Sequence, residues 1–139
     1  MLQRIQSLWL ACSAVLALLS VRFPVFSGNL PDGATGKQWV ALNAVQHTGL
    51  LILTVAIAVT AVLTVFLYRQ RKLQLRLTAI NWVGSLALIA GYHHESRKFI
   101  EGNFNLYALT ILAVPVLLLL AIRGIYRDEQ LVKNADKLR

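Results

Sequence analysis

Residues 49–68 read GLLILTVAIAVTAVLTVFLY and contain no charged side chain. An α-helix rises about 1.5 Å per residue, so this stretch is long enough to cross the roughly 30 Å hydrocarbon core of a bilayer. Inside lipid every backbone polar group needs a partner, which a helix supplies within its own segment and an isolated strand does not. The stretch therefore predicts a transmembrane helix, and it indicates that the chain is a membrane protein.

Three further apolar runs, over residues 5–21, 75–92 and 106–122, approach the same length. Pro24 ends the first run because proline cannot continue a helix. This first run also resembles a secretory signal sequence, but we expect it to be retained as a membrane span. The pattern predicts an all-α fold. It is an antiparallel bundle of four transmembrane helices at about residues 4–23, 43–70, 74–93 and 105–125, followed by a short charged amphipathic helix over residues 126–139.

Composition and charge agree with a membrane protein. Hydrophobic residues make up 57% of the chain and charged residues 14%, against roughly 45–50% and 25% in soluble domains. The net charge of +8 would suggest nucleic acid in a soluble protein. Here the basic residues flank the apolar runs, where anionic lipid headgroups explain them. The partners predicted on this ground are the lipid bilayer and its anionic headgroups, and no nucleic acid.

The distribution of lysine and arginine predicts the orientation, because cytoplasmic loops are enriched in these residues. One side of the predicted bundle carries ten of them: Arg4, Arg69, Arg71, Lys72, Arg76, Arg123, Arg127, Lys133, Lys137 and Arg139. The other side carries four: Arg22, Lys37, Arg97 and Lys98. Both termini and the connection between helices two and three are therefore expected in the cytoplasm, and the two longer connections outside.

The histidines form a possible metal or haem site. His47 begins the second predicted helix, and His93, His94 and Glu95 end the third. Because these helices are antiparallel, the four residues fall at one depth on the outer side. Imidazole and carboxylate ligands suit zinc or another divalent ion, and paired histidines suit haem iron. The spacing matches no metal motif, and interfacial histidines with loop ion pairs are the alternative interpretation.

Polar and small residues within the third run are predicted to pack helices together. Asn81 is expected to hydrogen-bond a neighbouring helix, and Gly84, Ala87 and Gly91 to let backbones approach. The same small residues could instead form a docking surface for another membrane subunit. No Asp, Glu, Lys or Arg lies deep in any run, which disfavours a transporter or channel because those functions use intramembrane ionisable groups.

The C-terminal tail is a candidate surface for a partner. Leu131, Val132, Ala135 and Leu138 follow the i, i+1, i+4, i+7 pattern of one helical stripe. Glu129 precedes Lys133 by four residues, the favourable order for an ion pair on a helix. Together with the basic Arg127 and Arg139, this tail could lie on the inner membrane surface or dock on a protein partner.

Three segments resemble a known family. They are MLQRIQSLWL at residues 1–10, RKLQLRL at 71–77 and YRDEQLVKNADKLR at 126–139. They are similar to small membrane proteins from Bacteroidota catalogued as domain of unknown function 4293. The resemblance implies a multi-pass protein of the inner membrane of a Gram-negative cell, and it implies no activity and no catalytic residue.

The sequence contains no glycine-rich phosphate loop, no CxxC pair and no nucleophile elbow. We therefore expect no catalytic residue and no cofactor. The function expected is that of a non-catalytic accessory subunit of a larger inner-membrane complex, in protein export or envelope biogenesis. The alternatives are an outer-face metal or haem redox protein, and a small transporter or channel.

Overall fold

The structure is a computed structural model that describes residues 2–31 and 38–137. Four of its helices are long and apolar enough to cross a membrane, which confirms the prediction of four apolar helices of spanning length. They are α1 (Leu2–Arg22), α2 (Thr48–Phe66), α3 (Arg71–Ser96) and α4 (Ala108–Lys137).

The four helices form a ring in which consecutive helices pack side by side and α4 closes against α1. Successive helices run in opposite directions, so residue 2, the turn between α2 and α3, and residue 137 share one end of the bundle. We call this the terminal end, and the opposite one the sheet end. Nine of the ten basic residues counted above belong to elements of the terminal end, and the tenth, Arg139, lies outside the described residues.

The inside of the bundle is lined by small hydroxyl side chains, each of which donates a hydrogen bond to a carbonyl one turn earlier in its own helix. Thr54 donates to the carbonyl of Leu50 over 2.7 Å, and Thr78 to that of Gln74 over 2.8 Å. Ser13, Ser20, Thr64 and Ser85 do the same. This pattern lets small polar residues pack in the interior without leaving an unpaired hydroxyl.

The predicted packing residues of α3 mostly face α2. The Asn81 side-chain amide donates to the carbonyl of Ile57 over 3.1 Å, as expected for an amide between membrane helices. Gly84 lies opposite Ile57, and Gly91 lies opposite Leu50. Ala87 is the exception, because its side chain is exposed and takes no part in the packing of this chain.

The connections at the sheet end form a three-stranded antiparallel sheet, which the all-α prediction missed. Its strands β1 (Phe26–Leu30), β2 (Gln38–Leu42) and β3 (Glu101–Phe104) lie in the order β2-β1-β3. Gly28 in the central strand pairs with Gly102 of β3, far along the chain, so no local pattern reveals the pairing. Residues 32–37, between β1 and β2, lie outside the described residues.

The sheet closes one end of the bundle. Phe26 and Leu42 are buried in the same cluster as Leu88 and Leu118 of the helices. The ring of Phe26 makes edge-to-face contact with Phe104, with centroids 5.0 Å apart. Helix α2 consequently starts at Thr48 rather than at residue 43, because residues 44–46 form a single 3₁₀ turn that joins β2 to it.

The charged tail is not a separate helix. Helix α4 continues without interruption from Ala108 to Lys137 and contains residues 126–137 as its last turns. An ion pair of 2.9 Å between Glu129 and Lys133 supports this extension. Buried contacts of Asp128 hold its beginning against the bundle, so the helix has no reason to end near residue 125.

Replacing Gly28 with alanine is expected to open the sheet. The added Cβ would lie 2.2 Å from the backbone carbonyl oxygen of Glu101, so β1 and β3 would have to separate. We expect the free energy of unfolding, measured in detergent, to fall by about 1–3 kcal/mol, which is the usual cost of overpacking. Gly49→Ala is the control because its Cβ meets no atom within 4 Å. Equal stability of the two variants would contradict the close approach of β1 and β3.

Candidate functional site

A buried polar cluster joins three helices at the terminal end. The Gln6 side-chain amide of α1 donates to Oδ2 of Asp128 on α4 over 2.6 Å. Nη1 of Arg71, at the start of α3, donates to the backbone carbonyl of Asp128 over 3.0 Å. Asp128 is only 8% exposed. A carboxylate with this little exposure needs a donor such as the Gln6 amide, because an unpaired buried charge is costly.

The depth of this cluster follows from the helix that carries it. From Ala108 to Asp128 the helix rises about 30 Å, one hydrocarbon thickness. A bilayer whose hydrocarbon core began at Ala108 would therefore end near this cluster. Gly124, one turn before Asp128, brings α1 close, since a Cβ there would lie 2.8 Å from Cγ of Gln6.

The last residues of α4 extend past the bundle. Residues 129–137, which we call the α4 extension, follow Asp128 and add about 13 Å of helix. Leu131 and Val132 on this extension are 53% and 42% exposed. Arg127 at its base is also exposed. The remaining predicted docking residues, Leu138 and Arg139, lie outside the described residues, as does the side chain of Ala135.

A basic cleft separates the α4 extension from the turn between α2 and α3. Its volume is about 730 Å³. We use the name basic cleft for the set of residues that line it: Arg69, Gln70, Arg71, Lys72, Leu73, Glu129, Val132 and Lys133. Four of these side chains are cationic and one is a carboxylate, which leaves a net charge of +3 on the lining.

The sequence analysis missed the buried polar residues of the terminal end. The sequence analysis assigns no role to Gln6, Gln74 or Asp128, yet all three are buried. The Gln74 side-chain amide donates to the carbonyl of Thr64 over 3.1 Å and closes the turn between α2 and α3. Gln74 and Thr78 share one face of α3 with Asn81, so the polar stripe on that helix was the available signal.

The histidines at the sheet end come together only in part. Nε2 of His47 lies 3.0 Å from Oε2 of Glu95, so the start of α2 meets the end of α3. Nζ of Lys98 lies 2.7 Å from the same oxygen and donates a hydrogen bond to Oε1 over 2.9 Å, so this carboxylate is paired with a cation of the protein. His93 and His94 are exposed. Within residues 2–31 and 38–137, no group of three or more His, Cys, Asp or Glu side chains could hold a metal ion.

Replacing Gln6 with alanine is expected to loosen α1 from α4. Hydrogen bonds to charged groups contribute about 1.5–3 kcal/mol, and the variant would leave the Asp128 carboxylate without the amide donor. The measurement is the free energy of unfolding in detergent. Gln46→Ala, a change at an exposed position of the sheet end, is the control. If the free energy of unfolding fell by the same amount in both variants, the hydrogen bond between Gln6 and Asp128 would have no specific stabilising effect.

Comparison with known proteins supports one assignment. No curated protein and no solved structure matches the chain. The family model described as "Domain of unknown function (DUF4293)" matches residues 2–138. This is nearly the whole chain, and it covers the three segments quoted for the resemblance except for the first and last residues of the chain. The chain therefore belongs to the DUF4293 family.

Proposed function

We propose that this protein is a non-catalytic accessory subunit of a larger inner-membrane complex, and that the α4 extension is the surface on which another subunit docks. The terminal end then faces the cytoplasm, in agreement with its excess of lysine and arginine. The processes we propose for the complex are protein export and envelope biogenesis. The identity of the subunits that co-purify decides between the two.

The observation that supports this proposal is an apolar surface on a helix held firmly at its base. Leu131 and Val132 are exposed on the α4 extension, beyond the apolar layer in which such side chains would be covered by lipid. Amphipathic helices of this kind bind partners through their apolar stripe. The bonds from Gln6 and Arg71 to Asp128 fix the direction of the extension, so little order has to be gained on binding.

Docking on a protein agrees better with the fold than lying on the membrane. An interfacial helix lies in the plane of the membrane with its apolar face in the headgroup region. That position would require a bend between the membrane span and the tail, whereas α4 is continuous from Ala108 to Lys137. A continuous helix carries Leu131 away from the bilayer.

The alternative functions have less support. For metal or haem binding, the Glu95 carboxylate is engaged by His47 and Lys98. For transport, the polar groups between the helices hydrogen-bond the backbone instead of lining a path: Thr54 and Thr78 bond their own helices, and Asn81 bonds the carbonyl of Ile57.

The docking surface is tested with the double variant Leu131→Ser, Val132→Ser. Burying an apolar side chain contributes about 1.5–3 kcal/mol, so losing two should reduce recovery of a partner at least about tenfold. The measurement is a mild-detergent pull-down of the natively expressed protein with an N-terminal tag, followed by quantitative mass spectrometry.

The matched control is Ile100→Ser, Leu106→Ser, which removes two exposed apolar side chains at the sheet end. It should retain the partner. Undiminished recovery with the Leu131, Val132 variant would exclude docking on the α4 extension. A wild-type protein that purifies with no stoichiometric companion would contradict the accessory-subunit proposal itself.

A further inference from the structure

We propose that the basic cleft is a binding site for a phosphate-bearing anion, either the headgroup of an anionic phospholipid or a free phosphate. This site goes beyond the proposed docking function and rests on cations instead of on the exposed Leu131; Val132 alone belongs to both surfaces. Its cations come from two separate elements that the fold brings together: the turn between α2 and α3 with the start of α3, and the α4 extension.

The cations of the cleft are available to a ligand. Arg69 and Lys72 are exposed on one wall, and the Lys133 side chain on the other wall is 52% exposed. Arg69 has neither a hydrogen bond nor an ion pair with any residue in the described part of the chain. Lys133 is ion-paired with Glu129, whereas Arg69 has no carboxylate partner among the described residues, and an anion bound in the cleft would supply one.

The base of the cleft is already ordered. Arg71 donates one N–H to the backbone carbonyl of Asp128, and a guanidinium has five N–H donors, so others remain for an anion. Arginine held in this way suits the geometry of phosphate oxygens. Glu129 is the one carboxylate of the lining, and its ion pair of 2.9 Å with Lys133 partly neutralises it.

The surroundings of the cleft favour a phosphate at a membrane surface. Arg71 contacts Asp128, and a bilayer whose hydrocarbon core began at Ala108 would end about 30 Å along α4, near Asp128, with its lipid phosphates beside Arg71. Leu73 and Val132 add apolar surface to the lining and are 41% and 42% exposed. A headgroup could contact the cations while its acyl chains pass along Leu73. Cation clusters immediately outside a membrane span recognise anionic lipids in this way.

The test measures binding of phosphatidylglycerol to the purified full-length protein in mild detergent, by native mass spectrometry. Phosphatidylcholine serves as the zwitterionic comparison. We expect one saturable phosphatidylglycerol that the double variant Arg69→Gln, Lys72→Gln binds about 30-fold more weakly, since each cation near such a surface is worth about 1 kcal/mol. Lys133→Gln, on the opposite wall, should weaken binding about fivefold.

The matched control is Arg76→Gln, Arg127→Gln. Both residues are exposed cations of the terminal end, and neither lines the cleft. This variant loses the same charge and should bind within about threefold of wild type. Elution volume and thermal midpoint of each variant show that the fold is intact. Leu131 is unchanged in all of them, so failure here is distinct from failure of the docking proposal.

Competition with inorganic phosphate separates the two sources of the anion. Phosphatidylglycerol binding that millimolar phosphate does not displace assigns the cleft to a lipid headgroup. Phosphate binding that depends on Arg69 and Lys72, without a preference for phosphatidylglycerol over phosphatidylcholine, assigns it to the free anion. Equal weakening in both double variants would attribute binding to diffuse surface charge and overturn the site. The absence of both phosphatidylglycerol and phosphate binding would overturn it too.

Discussion

The structure depends on one constraint: apolar surroundings offer no hydrogen bonds, so most polar groups between the helices are paired within the chain. The hydroxyls of Ser13, Thr54 and Thr78 meet it by bonding their own helices. The amides of Gln74 and Asn81 meet it by bonding carbonyls of α2. Helix association in a membrane draws little on the hydrophobic effect, because lipid is as apolar as leucine. Close packing of small residues, together with these few bonds, therefore specifies which helices lie side by side.

The same constraint shapes the two ends of the bundle differently. At the sheet end the connections are not helical, so their backbone groups form hydrogen bonds between neighbouring segments instead. The backbone amide of Ile100 donates to the carbonyl of Asn29, and the backbone amide of Asn105 donates to the carbonyl of Val25. At the terminal end a polar cluster around Asp128 joins α1, α3 and α4 through hydrogen bonds. One end is thus capped by a sheet, and the other holds a helix that continues beyond the bundle.

This asymmetry bears on function. The α4 extension and the basic cleft beside it are both consequences of how Asp128 is held, since Gln6 and Arg71 set the position at which α4 leaves the bundle. The segments that resemble the DUF4293 family, at residues 1–10, 71–77 and 126–139, supply these three residues. The part of the chain that is most distinctive in sequence is therefore one connected structural unit at the terminal end.

The sequence by itself determined four apolar helices of membrane-spanning length, because about twenty apolar residues have few alternatives to a helix in apolar surroundings. It also indicated that Asn81 would bond a neighbouring helix. Two features could only be decided by the tertiary structure. The sheet pairs Gly28 with Gly102, and the buried cluster joins Gln6 to Asp128 across 122 positions. Both rest on contacts between residues far apart in the chain, and hydropathy and helical periodicity report only on neighbours within a few turns. Tail residues 126–137 show the same limit: their amphipathic pattern predicted a helix, but the buried contacts of Asp128 made it part of α4.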